Sequence, residues 1–193
     1  MWPIMFEFLG ITSAVIFCAI AIKLADDFLD RDIDGKFNNF TTVLGNGIML
    51  YGMLAMAIAV SINASLSISL FLSSYIIGMF HDLKNPFPSH LNGLQESIIV
   101  FIIGMLFWGW QTMMFSIFFI GAVQLLDDYI DVHTDWLSGH RNWVNRFGKI
   151  ECFLVFLLSL LMAWMIDERK FPPVLVGLVV FYGTLLYYQR RKL

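Results

Sequence analysis

Long apolar segments, one after another, set the strongest limit on how this chain can fold. Hydrophobic residues make up 59% of its 193 positions, whereas only 14% are charged. Several nearly uncharged runs approach the roughly 20 residues that a helix needs to cross a bilayer. A soluble domain of this length would need far more polar surface. The sequence therefore predicts an all-α, multi-span transmembrane helical bundle.

Polar, glycine and proline residues divide the chain into seven predicted transmembrane helices within one domain, residues 1–193. The stretch from Leu94 to Ile130 is divided because a single straight helix would reach roughly 55 Å, far beyond a bilayer. Gly109 and Trp110 are predicted to form a tight turn there. The seven predicted helices cover residues 4–25, 43–61, 65–81, 94–109, 112–130, 150–167 and 173–189.

Basic residues predict the orientation of these helices. With seven spans, ten of the twelve Lys and Arg residues lie on one side, and the exceptions are Arg169 and Lys170. Cytoplasmic loops carry such an excess of basic residues. We therefore expect a multi-pass protein of the cytoplasmic (inner) membrane, with its amino terminus outside and its carboxyl terminus inside. No feature indicates nucleic-acid binding.

Two clusters of aspartate interrupt the apolar sequence. The clusters, DDFLDRDID and DDYIDVHTD, hold nine of the eleven aspartates, and four positions repeat with a spacing of 101 residues. On a helix, Asp27, Asp30 and Asp34 lie within an arc of roughly 60° around the axis, and Asp26 widens this arc to roughly 100°. The second cluster has the same spacing and therefore the same geometry. The repeated residues are Asp26, Asp27, Asp30 and Asp34, followed by Asp127, Asp128, Asp131 and Asp135.

Carboxylates on one helical face repel each other, and an acid at a helix carboxyl end opposes the macrodipole. A hard divalent cation resolves that repulsion. Mg²⁺ prefers oxygen ligands and typically bridges one or two carboxylates to substrate phosphates. All eight repeated aspartates are therefore predicted to bind Mg²⁺, and two facing clusters could hold a diphosphate between them.

The motifs resemble those of the UbiA superfamily of intramembrane prenyltransferases. The first signature, approximately NDxxDRxxDG, matches DDFLDRDIDG, including Arg31. The second, DxxxDxxxDxxxG followed by a basic residue and Gly, matches the segment from Asp127 to Gly148, including Arg141. FHDLKNPFP is similar to the YxxxK-type segment between them and places Lys84 at its lysine.

The resemblance implies a ring of helices around a lipid-accessible cavity and a membrane-embedded prenyl transfer. A prenyl diphosphate and an aromatic or other lipophilic acceptor would be the substrates, surrounded by membrane lipid. Asp30 and Asp131 would act as catalytic residues, and Arg31, Lys84 and Arg141 would contact the diphosphate.

Three departures from the family leave alternatives open. The chain lacks counterparts of the first and last of the usual nine helices, so a homo-oligomer or partner subunit would have to cover a lateral gap. The basic stretch after the first motif is replaced by NNFTTVLGNG, and Asp26 stands where the family has asparagine. A non-catalytic subunit that binds isoprenoid and metal is the main alternative. A divalent-cation transporter is less favoured, because transport sites usually lie near the midplane.

Overall fold

The structure is a computed structural model that describes residues 2–29, 44–78, 90–130, 132 and 142–190. These residues are helical and include no β-strand, which confirms the all-α class. A short 3-10 helix, Gly45–Gly47, precedes the second α-helix. The α-helices are α1 (Trp2–Leu29), α2 (Ile48–Ile62), α3 (Ala64–Gly78), α4 (Gly93–Trp108), α5 (Trp110–Ile130), α6 (Trp143–Phe147), α7 (Lys149–Ile166) and α8 (Phe171–Arg190).

Three of these helices are long and apolar enough to cross a membrane, which indicates a membrane protein. They are α1 from Ile4 onward, α5 and α7. The helices α2, α3, α4 and α8 contain shorter apolar stretches. Each of the seven predicted segments overlaps one of the helices α1–α5, α7 and α8. The crossing of the membrane by all seven remains a prediction.

The turn predicted near Gly109 is confirmed. The helix α4 ends at Trp108, Gly109 has φ +82°, and α5 begins at Trp110. Glycine adopts this conformation without the steric cost that a side chain would add. The short helix α6 lies between the predicted helices 112–130 and 150–167, where the sequence predicts no helix.

The chain divides into two compact units, of which the first comprises Met1–Ile68 and Arg169–Leu193. In this unit α1 packs against α2 and α8. Small residues allow close approach: a Cβ added to Gly177 would lie 3.0 Å from both the Thr12 carbonyl oxygen and the Val15 Cβ. The Thr12 hydroxyl also donates to the Pro173 carbonyl at 3.2 Å. Close packing of small residues is typical of membrane helix interfaces.

The second unit comprises Ser69–Glu168. Here α5 packs against α4, α6 and α7, and its buried residues include Phe115 and Phe119, whose rings stack 5.9 Å apart. Near the start of α4, Glu96 accepts a hydrogen bond from the Tyr75 hydroxyl of α3. A partner of this kind satisfies the hydrogen-bonding capacity of a partly buried acid.

Both cysteines are packed inside the helical units. Cys18 and Cys152 are free thiols and are buried. The Cys18 thiol donates to the Ser67 carbonyl at 3.4 Å within the first unit. They behave as small packing residues rather than as a redox pair.

Candidate functional site

Four of the eight predicted metal ligands lie within the described residues. Asp26 and Asp27 lie near the carboxyl end of α1, and Asp127 and Asp128 lie near that of α5. The first pair belongs to the first unit and the second pair to the second unit. The other predicted site residues fall outside the described residues: Asp30, Arg31, Asp34, Lys84, Asp131, Asp135 and Arg141.

At the end of α1, one lysine lies close to both aspartates. Lys23 Nζ is 3.0 Å from Asp27 Oδ1 and 3.4 Å from Asp26 Oδ2. The Asp27 side chain is only 4% exposed, whereas that of Asp26 is 59% exposed. The exposed pair adds little stability because water screens it. The buried Asp27 carboxylate depends much more on its partner, since a lone buried charge is costly.

At the end of α5, both carboxylate oxygens of Asp128 accept hydrogen bonds. Gln124 Nε2 donates to Oδ1 at 3.2 Å, and the backbone N–H of Trp143 donates to Oδ2 at 2.8 Å. Asp128 is buried, and the neighbouring Asp127 is half-buried. Hydrogen bonds to a charged carboxylate are shorter and stronger than neutral ones, so this arrangement holds Asp128 firmly.

Asn142 joins the start of α6 to the end of α5. Its side-chain NH₂ donates to the Asp128 carbonyl at 2.7 Å, and its Oδ1 accepts from the backbone N–H groups of Val144 and Asn145. Together with the bond from Trp143 to Asp128, the first three N–H groups of α6 therefore have side-chain acceptors. Capping of this kind compensates for the amides that a helix start leaves without intrahelical partners.

Two local features repeat with the same spacing as the aspartates. Lys23 and Gln124 are 101 positions apart, and each contacts the second aspartate of its cluster from one turn earlier. The next long helix after each cluster starts at the same spacing, α2 at Ile48 and α7 at Lys149. Since α1 packs against α2 and α5 packs against α7, each acidic cluster begins at the carboxyl end of the first helix of a packed pair.

The sequence motifs do not predict the contacts that Gln124, Asn142 and Trp143 make with Asp128. Lys23 contributes to the sequence analysis only through its charge, as one of the ten basic residues on one side. Alignment of KLADD (residues 23–27) with QLLDD (residues 124–128) under the 101-residue repeat pairs Lys23 with Gln124, so this partner position is visible in the sequence. No comparable signal marks Asn142 and Trp143, whose contacts with Asp128 cross 14 and 15 positions of sequence.

The chemistry of the acidic residues fits Mg²⁺, because carboxylate oxygens are the ligands that this cation prefers. Within the described part of the chain, no three His, Cys, Asp or Glu side chains come together to hold a metal. Only two repeated acids of each cluster fall within that part.

Comparisons with protein-family models, curated proteins and solved structures found no match to this chain. The resemblance to UbiA prenyltransferases therefore rests on the sequence motifs.

Proposed function

We propose that the chain is a relative of the UbiA prenyltransferases that transfers a prenyl group from a diphosphate to a lipophilic acceptor in the membrane. The observation that carries this proposal is the repeated acidic motif at the carboxyl ends of two apolar helices. The local contacts support it, since Lys23 and Gln124 extend the repeat beyond the acids themselves. In this proposal, seven helices form a UbiA-like ring and the acidic ends face the cytoplasm.

In the proposed reaction, the repeated aspartates would hold Mg²⁺, and Asp30 and Asp131, at the centre of the two motifs, would act as the catalytic residues. When bound, Mg²⁺ supplies Lewis-acid stabilisation of negative charge on the leaving diphosphate. Arg31, Lys84 and Arg141 contact the diphosphate oxygens. The allylic C–O bond breaks with its electron pair leaving on the diphosphate, an acceptor carbon forms the new C–C bond, and the acceptor then loses a proton.

The test is Mg²⁺-dependent diphosphate release by the purified chain in lipid nanodiscs. Geranyl, farnesyl and geranylgeranyl diphosphates cover a range of prenyl lengths, with Asp30→Asn and Asp131→Asn as matched variants and EDTA as the metal-free control. We expect release with at least one substrate and a loss of about 100-fold or more in each variant. Inertness of the natural chain with every substrate would contradict the enzymatic proposal.

A non-catalytic subunit is the second candidate. The replacement of the basic stretch after the first motif by NNFTTVLGNG favours it, because that stretch supplies diphosphate contacts in the family. The same preparation distinguishes the two. Mg²⁺-dependent binding of a prenyl diphosphate without release would favour the subunit, whereas release would favour the enzyme.

A further inference from the structure

The second aspartate of each repeated pair differs from the first in its environment. Asp27 and Asp128 are 3% and 6% exposed, whereas Asp26 is exposed and Asp127 is half-buried. A buried carboxylate loses the stabilisation that water provides, so other groups must replace it. The groups that contact Asp27 and Asp128 therefore indicate what these two residues do.

In both helices, a polar side chain from the preceding turn contacts the second aspartate. Lys23 lies 3.0 Å from Asp27, and Gln124 donates to Asp128 at 3.2 Å. Residues four apart are neighbours on a helix surface, so each contact requires only that the helix be intact. A polar side chain thus contacts the second aspartate at equivalent positions of two separate helices, as an ion pair in α1 and as a hydrogen bond in α5. Lys23 also lies 3.4 Å from the exposed Asp26, at a longer distance than from Asp27.

Asp128 also fixes the sequence that follows it. Its carboxylate and its main-chain carbonyl accept hydrogen bonds from Trp143 and Asn142, respectively. Both ends of the intervening sequence, which carries Asp131, Asp135 and Arg141, are thus held at the end of α5. An enzyme gains from such support, because a metal ligand that is displaced by about 1 Å can lose much of its effect.

The geometry points to a positioning role for Asp27 and Asp128: they stabilise the ends of α1 and α5, at or after which the metal-binding carboxylates lie in sequence, and do not themselves ligate the metal. This inference rests on the proposed function and narrows its predicted ligand set. Three carboxylates remain in each cluster, spaced four residues apart. They are Asp26, Asp30 and Asp34, and Asp127, Asp131 and Asp135.

Cysteine substitution distinguishes a ligand from a positioning residue. A thiolate in the ligand shell favours a soft cation, so replacing a ligand carboxylate shifts the preference from Mn²⁺ toward Cd²⁺. The variants are Asp127→Cys and Asp128→Cys, and in parallel Asp26→Cys and Asp27→Cys. Each is made in a chain whose own Cys18 and Cys152 are replaced by Ala, and the Kd of each metal is measured by titration.

For Asp26→Cys and Asp127→Cys, we expect the Cd²⁺ to Mn²⁺ preference to rise about tenfold or more, with a Cd²⁺–thiolate absorption band. For Asp27→Cys and Asp128→Cys, we expect both affinities to fall about tenfold together, with neither the band nor a changed preference. A residue with a purely structural role would leave Mn²⁺ affinity unchanged in the folded protein.

Two further variants keep the test valid if the Asp128 or Asp27 variants fail to fold. Gln124→Leu and Lys23→Met remove the partner and leave every aspartate in place. We expect weaker Mn²⁺ binding in each, with the number of bound ions unchanged. Unchanged affinity in both would overturn the inference.

Different results would contradict the positioning role and the proposed function. A Cd²⁺–thiolate band in the Asp128→Cys and Asp27→Cys variants would identify these residues as ligands and overturn the positioning role alone. Failure of the unsubstituted chain to bind Mn²⁺ would instead overturn the proposed function, and with it the ligands that these residues are proposed to position.

Discussion

The Asp128 carboxylate accepts a hydrogen bond of 2.8 Å from the backbone N–H of Trp143. This bond joins the carboxyl end of α5, where an acid opposes the helix dipole, to the amino end of α6, where an acid is favoured. A negative charge that destabilises one helix end thereby stabilises the start of another. The second acidic cluster is, in this respect, part of the local architecture as well as a candidate ligand.

Loss of the Asn142 side chain is expected to destabilise α6. An Asn142→Ala variant removes the acceptor for the N–H groups of Val144 and Asn145 and the donor to the Asp128 carbonyl. Loss of such a cap costs about 0.5–2 kcal/mol, and a helix of only five residues has little else to compensate for it. Hydrogen exchange should show faster exchange across Trp143–Phe147.

Asn63→Ala is the matched control for that experiment. Asn63 accepts from the Leu66 N–H at the start of α3. Its loss should speed exchange there and leave α6 unchanged. Equal protection of α6 in the natural and Asn142→Ala chains would show that the cap is not what holds this helix.

Gly177→Ala should destabilise the first unit. The new Cβ would lie 3.0 Å from the Thr12 carbonyl oxygen, which is backbone and cannot rotate away. Overpacking of this kind costs about 1–3 kcal/mol. Reversible unfolding in mixed micelles should show the loss as a lower midpoint.

Gly183→Ala provides the control in the same helix, because no atom lies within 4 Å of its added Cβ. Since alanine favours helix by up to about 1 kcal/mol over glycine, this variant should be neutral or slightly stabilising. An equal decrease in the unfolding midpoint for Gly177→Ala and Gly183→Ala would contradict the close packing of α1 against α8 at Gly177.

The two ends of α7 should lie on opposite sides of the membrane. Arg146 precedes this helix, Glu168 follows it, and both are exposed. In a chain with Cys18 and Cys152 replaced by Ala, an impermeant maleimide applied to intact cells should label Glu168→Cys and spare Arg146→Cys. Permeabilised cells should label both. The reverse pattern would contradict the predicted orientation, and labelling of both in intact cells would contradict the span.

Sequence patterns predicted the helices well because local properties determine them. Apolar runs and the glycine at position 109 were sufficient to place α4 and α5. The predicted transmembrane segment ends at residue 25, just before the acidic cluster begins. The helix continues to Leu29, and contacts of Lys23 with Asp26 and Asp27 favour it across this charged turn.

Other features depend on contacts between distant residues, which a local pattern does not encode. The short helix α6 needs Asp128 and Asn142 together, and nothing near Trp143 in sequence predicts that combination. The close approach at Gly177 likewise depends on Thr12, which lies 165 positions away. The repeated aspartates were evident from sequence, but the difference in burial within each pair was not.

We propose that both acidic clusters bind one shared metal–diphosphate. A double-mutant cycle on the Mg²⁺-dependent binding of farnesyl diphosphate tests it most directly, with Asp30→Asn, Asp131→Asn and the combined variant. Residues that contact one shared ligand are coupled, whereas independent sites are additive. We predict that each single variant binds farnesyl diphosphate about tenfold or more weakly than the natural chain. The loss of affinity in the combined variant should be well below the product of the two single losses. Losses that multiply, or binding that persists in EDTA, would contradict a shared site.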